Sequence, residues 1–134
     1  MSRSEVKELE FNQRSPVYIQ VLYWFKKRIV TGEFKSGESI PSRRALATEL
    51  KINPNTAQKV YRELEEQQLI TTERNVPSKI TMDQAIIDRV RTEILDDAVK
   101  QFVDAIHMIE VPLTDIIVHF KREYTIRKRG EIDA

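Results

Sequence analysis

The chain has 134 residues, 40% of them hydrophobic and 32% charged, with a formal net charge of +1, enough for one domain or two small ones beneath a very polar surface. It contains no cysteine, which excludes a disulfide framework, a thiolate nucleophile and a Cys-based zinc site. No apolar run approaches the roughly 18 residues that span a bilayer and no signal peptide is visible, so a soluble, cytoplasmic protein without membrane contact is expected.

Residues 1–13 read as a polar lead-in. Ser15-Pro16 is a helix start: serine caps free amides and proline tolerates the first helical position. Val17, Val21, Leu22, Phe25 and Ile29 follow at helical spacing, and Gly32 suits a left-handed helix end. The first helix is therefore expected from about Pro16 to Thr31. The stretch "EFKSGESIPS" holds Gly37, Pro41 and three serines and reads as a turn. Ser42 then caps a short second helix whose Leu46, Ala47 and Leu50 face inward. Asn53 caps a third helix with Pro54 at its first position. Its inner stripe is Ala57, Val60, Tyr61 and Leu64, and it ends near Gln68.

Leu69 to Thr72 and Lys79 to Thr81 favour strands, joined by a hairpin tip at Glu73-Arg74-Asn75-Val76-Pro77-Ser78. From Asp83 the pattern becomes one long helix of about 27 residues. Its apolar stripe is Ile87, Val90, Ile94, Ala98, Phe102, Ala105 and Ile109. Val111-Pro112-Leu113 breaks the run, a last helix carries Ile116, Ile117, Phe120 and Tyr124, and the tail "IRKRGEIDA" is expected to fray. The predicted fold is mainly α with a small β-hairpin. A winged helix-turn-helix domain spans residues 1–81, and a two-helix dimerisation domain spans residues 82–134.

In a helix-turn-helix the second helix of the motif enters the major groove, and its N-terminal residues meet base edges. Asn and Gln pair with adenine, Thr packs on thymine, and Lys reaches guanine or phosphate. Asn53, Asn55, Thr56, Gln58 and Lys59 supply that set, with Arg62 one turn beyond Gln58. The free amides and dipole of this helix end favour phosphate. Ser42, Arg43 and Arg44 stand at the start of the second helix, where the DNA backbone or nearby bases lie. Before residue 82 there are 14 Lys and Arg against 10 Asp and Glu, and after it 8 against 11. Any polyanion partner is therefore expected to meet the first part of the chain.

The stretches "PVYIQV", "GEFKSGESIPSRRALA" and "NPNTAQKVYRELEEQQLI" together resemble the DNA-binding domain of GntR-family bacterial transcription regulators, over about Pro16 to Ile80. The short two-helix C-terminal part is similar to the YtrA-type branch of that family. The resemblance implies a repressor without a large effector domain, dimerised by its extra helices and often governing an ABC-transporter operon. It implies DNA contacts at Arg44, at Asn53, Asn55, Thr56 and Gln58, and at a wing tip formed by Arg74 and Asn75. The family wing runs near R-G-x-G-x-F. Here it reads Arg74-Asn75-Val76-Pro77-Ser78-Lys79. Asn75 can adopt a left-handed turn, whereas Pro77 cannot replace a glycine at positive φ.

The stripe from Ile87 to Ile109 reads as a dimer seam. A two-fold dimer presents two recognition helices about 34 Å apart, or at a longer spacing, to a roughly palindromic double-stranded site. Asp104, His107, Glu110 and His119 have spacing at which a metal can be held, but no second ligand pair supports it, and surface or interface roles are expected. Trp24, beside Tyr23 and Phe25, is expected in the core or at an interface rather than in a ligand pocket. The basic groups at Lys121-Arg122 and Arg127-Lys128-Arg129 are expected to be solvated. No nucleophile–base pair or phosphate-gripping glycine loop is present, so no catalysis, metal or cofactor is expected. The expected function is a homodimeric DNA-binding regulator, with any small-molecule effector undefined. The alternative is a winged-helix protein-interaction module whose altered wing grips DNA weakly.

Overall fold

The computed structural model describes residues 9–133. Helix α1 is Val17–Thr31. The expected Ser15 cap is corrected: Pro16 holds the N-cap position at φ −55° and ψ 146°, with no side-chain cap bond. A residue before proline is steered toward extended backbone, which places Ser15 outside the helix. Its carbonyl accepts instead from Gln20 Nε2 at 2.8 Å. Gly32 ends α1 at φ 82°, where a side chain would be strained.

Helix α2 is Arg43–Leu50, and Ser42 Oγ accepts from the Ala45 amide at 3.1 Å. Helix α3 is Pro54–Glu66, capped by Asn53. Strands β1, Ile70–Thr71, and β2, Lys79–Ile80, pair antiparallel with Ile70 opposite Ile80. The hairpin stems are thus two residues each, shorter than the sequence suggests. Ser39 bridges to Lys79, and the Gly37 amide donates to the Ile80 carbonyl at 2.9 Å, so the turn before α2 is sewn to β2.

The core of this unit lies where α3 packs on both α1 and α2. Trp24 and Phe25 of α1 meet Phe34 and Tyr61, with ring centroids 5.0 to 5.9 Å apart and mostly edge-to-face. Such pairs add about 0.5–1.5 kcal/mol each beyond burial. Trp24 is therefore a core residue, with the Arg28 guanidinium lying over its ring. The Tyr61 hydroxyl donates to the Pro41 carbonyl. Burial pushes the Tyr61 phenol well above its ordinary pKa, nearby Arg43 opposing and Glu49 reinforcing the shift, so it stays a neutral donor.

Helix α4 is Gln84–Ile106, started by Asp83, whose side chain accepts from the Ala85 amide at 3.0 Å. The chain divides into two compact units after Leu95, inside α4. Two members of the expected dimer seam are corrected accordingly. Ile87 and Val90 are 5% and 0% exposed and belong to the first unit's core, and Ile94 packs on it half-buried. Arg89 and Arg91 fix this segment by donating to the carbonyls of Gln67 and Val30, at 2.8 and 3.0 Å.

The second unit holds the rest of α4, a 3₁₀ turn at His107–Ile109, and α5 at Leu113–Asp133. Glu110 at φ 52° makes the reversal before Pro112. The expected frayed tail is also corrected, because α5 runs through it. Arg127–Glu123 and Lys128–Glu131 pairs at 3.2 and 3.3 Å line its exposed face, and such pairs give a helix a few tenths of a kcal/mol each. No helix among the described residues is long and apolar enough to cross a membrane.

Ile87→Ala is expected to lower unfolding stability by about 2–5 kcal/mol, as for a core cavity. Met82→Ala, at a side chain 80% exposed, should change it by less than about 0.5 kcal/mol. Denaturant unfolding at one protein concentration measures both.

Candidate nucleic-acid interface

Helix period alone determines what α3 presents. Ala57, Val60, Tyr61 and Leu64 recur at three and four residues and are all buried. The positions between them therefore face outward. Asn55, Gln58, Lys59 and Arg62 are exposed, and Thr56 is half-buried. Asn53 is also exposed, but its Oδ1 is engaged by the Asn55 amide at 2.8 Å. The amides of Thr56 and Ala57 donate to the Asn53 carbonyl at 2.9 and 3.2 Å. The expected free amides at this helix end are thus taken up internally, and Pro54 has none. What remains at the tip is side-chain chemistry: amide groups and cations.

Around α3 the expected cations separate into two classes. Arg44, Arg62 and Arg74 are exposed, and their side chains have no hydrogen-bond or ion-pair partner among the described residues. Arg43 is different. Its guanidinium meets Glu65 at 2.6 Å and lies 5.5 Å from the Tyr61 ring centroid. Glu65 also accepts from Thr72 Oγ1 at 2.9 Å, and Thr72 Oγ1 is 2.9 Å from Ser78 Oγ. The carboxylate therefore joins α2, α3 and both strand ends of the wing. Arg43, expected at the DNA surface, serves as a strut. Ser42 has its hydroxyl oxygen occupied by the helix cap.

The wing tip carries Arg74 outward, and Asn75 takes the left-handed conformation at φ 63°. A bond from the Val76 amide to the Glu73 carbonyl at 3.3 Å closes the turn. Asn replaces a turn glycine here because its short side chain tolerates positive φ. The sequence reading missed two residues. Glu65 joins the strut, and Tyr18 of α1 places its ring 3.7 Å from Lys59 Nζ. No local pattern marks either, because both partners are remote in sequence.

In the second unit, Ala98, Phe102, Ala105 and Ile109 of the expected seam are exposed. So are Val99 and Val103 of α4 and Val118, Phe120 and Tyr124 of α5, and Leu95 at the end of the first unit. An apolar cleft of about 360 Å³ is lined by Phe102, Ile106, Ile109, Ile116 and Phe120, with His119 and Glu123 at its edge. His107 Nδ1 lies 3.1 Å from the Asp104 carbonyl oxygen, and His119 Nδ1 lies 2.6 Å from Arg122. Among the described residues no three His, Cys, Asp or Glu side chains converge on a metal position.

Residues 18–80 match the family described as bacterial regulatory proteins, gntR family. The chain is 30% identical over 105 residues to the HTH-type transcriptional regulator YhcF of Bacillus subtilis strain 168, covering 78% of this chain and 85% of that one. It is 29% identical over 107 residues to the HTH-type transcriptional repressor YtrA of the same organism, covering 79% and 82%. A solved GntR family transcriptional regulator from Listeria monocytogenes superposes with TM-score 0.77 at 31% identity, over 84% of this chain and 98% of that one.

Arg43→Ala, which leaves Glu65 without its cation, is expected to cost about 1 kcal/mol and to lower Tm by about 4–8 °C for a unit of this size. Arg44→Ala is expected to leave Tm unchanged. Thermal melts followed by circular dichroism distinguish the strut from the free cation.

Proposed function

The chain belongs to the GntR family of bacterial transcriptional regulators, a DNA-binding family, and from that premise we propose that it is a dimeric, sequence-specific repressor. The observation that carries this reading is the outward face of α3. Asn55, Gln58, Lys59 and Arg62 project from a helix whose opposite face is locked in the core. An α-helix fits the major groove, where Asn and Gln can each pair bidentately with adenine. Arg44 and Arg74 lie outside that helix as unpaired cations for the phosphate backbone. Phosphate contacts set register and salt-dependent affinity, and base contacts set sequence preference.

Dimerisation is supported by the second unit. None of its residues between 96 and 132 is buried, although α4 and α5 carry Val99, Phe102, Val103, Val118 and Phe120. A contiguous apolar surface of this kind marks an association site. A second copy supplies the missing cover under two-fold symmetry, with the seam on Ala98, Phe102, Ala105 and Ile109 together with Leu95 and Val99. Two copies of α3 then address two half-sites of a roughly palindromic operator. Repression follows when the dimer occupies promoter DNA and excludes polymerase. The name of the YtrA relative supports the repressor role. The resemblance to its branch supports an operon such as one encoding an ABC transporter as the target.

Footprinting on the DNA flanking its own gene tests the reading, with a protected, roughly two-fold sequence as the expected result. Asn55→Ala is expected to weaken binding to that sequence by about 1–3 kcal/mol and to relax preference at one base pair. Arg44→Ala is expected to weaken all sequences alike and to reduce the salt slope by about 1. Gel shifts at two salt concentrations measure both, and binding with no sequence preference returns the chain to the protein-interaction reading. Phe102→Glu is expected to yield monomers in sedimentation and to abolish tight operator binding, while the first unit keeps its fold.

A further inference from the structure

The cation of Lys59 is exposed on α3, yet it is tethered. Its Nζ lies 3.7 Å from the centroid of the Tyr18 ring, in the first turn of α1. That ring is half-buried and packs against the core, so it is a fixed platform rather than a second mobile side chain. The turn that carries it is braced. Gln20 Nε2 donates to the carbonyls of Asn12 and Ser15 at 2.9 and 2.8 Å, and Gln20 Oε1 accepts from the Asn12 amide at 3.0 Å. The amide of Gln20 thus binds the preceding loop to the start of α1.

We propose that Tyr18 is a positioning residue for DNA binding, holding the Lys59 ammonium at the flank of α3 so that it engages a phosphate and not a base edge. The inference rests on α3 being the groove-entering helix. An ammonium has three N–H donors on a compact head. With an aromatic face on one side, the other side stays open to an anion, so ring and phosphate can be engaged together. A free lysine loses considerable rotamer freedom when it is immobilised. The ring reduces that loss by restricting the side chain before DNA arrives. Asn55 and Gln58 are left to read bases, while Lys59 is drawn sideways toward α1.

The test uses two duplexes of equal length: the footprinted sequence and a scrambled one. Lys59→Met is expected to weaken both by the same factor and to reduce the salt slope by about 1. Tyr18→Leu is expected to weaken both by about two- to five-fold, and to add nothing in a Lys59→Met background. Tyr18→Phe, which keeps the ring face, is expected to bind within about two-fold of wild type. The proposal is overturned if Lys59→Met loses affinity on the footprinted duplex only. It is also overturned if Tyr18→Leu costs as much with Lys59 absent as with it present, or if Tyr18→Phe is as weak as Tyr18→Leu. Should Tyr18→Leu fail to fold by thermal melt, the Lys59→Met comparison and Tyr18→Phe decide. Equal wild-type binding to both duplexes overturns the sequence-specific reading instead, and the cycle is then read on the scrambled duplex. Absence of binding to either duplex overturns both.

Discussion

The arrangement of the first unit depends on the helical period of α3. Ala57, Val60, Tyr61 and Leu64 must be buried, because α1 and α2 both pack on that helix. Once they are, the 3.6-residue repeat leaves no freedom for Asn55, Gln58, Lys59 and Arg62, which must face solvent. The recognition surface is thus fixed by the core, not by the polar residues themselves. A groove-reading helix needs that rigidity, since misplacing a bidentate amide by an ångström removes its hydrogen bonds. The Asn53 cap and Pro54 fix where the helix begins, and hence which residues stand at its tip.

Features with local causes were legible in the sequence. The caps at Ser42 and Asn53, the left-handed Gly32 and the left-handed Asn75 each follow from one residue's own backbone preference. Features determined by remote partners were not. The stripe from Ile87 to Ile109 is uniformly apolar, and period alone cannot say which neighbour covers each part. The structure assigns Ile87 and Val90 to the core of α1 to α3 and leaves Phe102 uncovered. Arg43 and Arg44 are adjacent and chemically identical, yet one meets Glu65, 22 residues away, and the other has no hydrogen-bond or ion-pair partner among the described residues. The amides of α3 looked free for an anion because caps are usually counted by the side chain alone. Here the Asn53 carbonyl takes two of them.

The strut at Glu65 explains how a wing without glycines is held. Strands of two residues form few ladder bonds and are marginal by themselves. Thr72 and Ser78 flank the tip and are tied to each other and to the Glu65 carboxylate, which also holds Arg43. Charge-assisted hydrogen bonds are about twice as strong as neutral ones, so one carboxylate compensates for missing ladder length. It also links the wing to α3, the helix that carries Asn55 and Gln58. Arg74 at the tip and the outward residues of α3 thus share one framework.

A different balance governs the second unit. Two helices joined by a short turn bury little surface, and among the described residues beyond 95 only Ile106 and Ile116 are even half-buried. Ordering each residue costs about 1–2 kcal/mol of backbone entropy, which the helix bonds and a few exposed ion pairs do not offset. In the proposed dimer, apolar cover from the second copy is the term that restores the balance, since burial contributes about 25 cal/mol per Å². Under the proposed dimer, order in this segment is linked to association, and its stability is expected to rise with protein concentration. The first unit has its own core of Phe25, Leu46, Val60 and Leu64 and is free of that dependence. Under the proposed dimeric reading, the first unit keeps its fold as a single copy, while a two-fold arrangement of two α3 helices exists only when two copies have met.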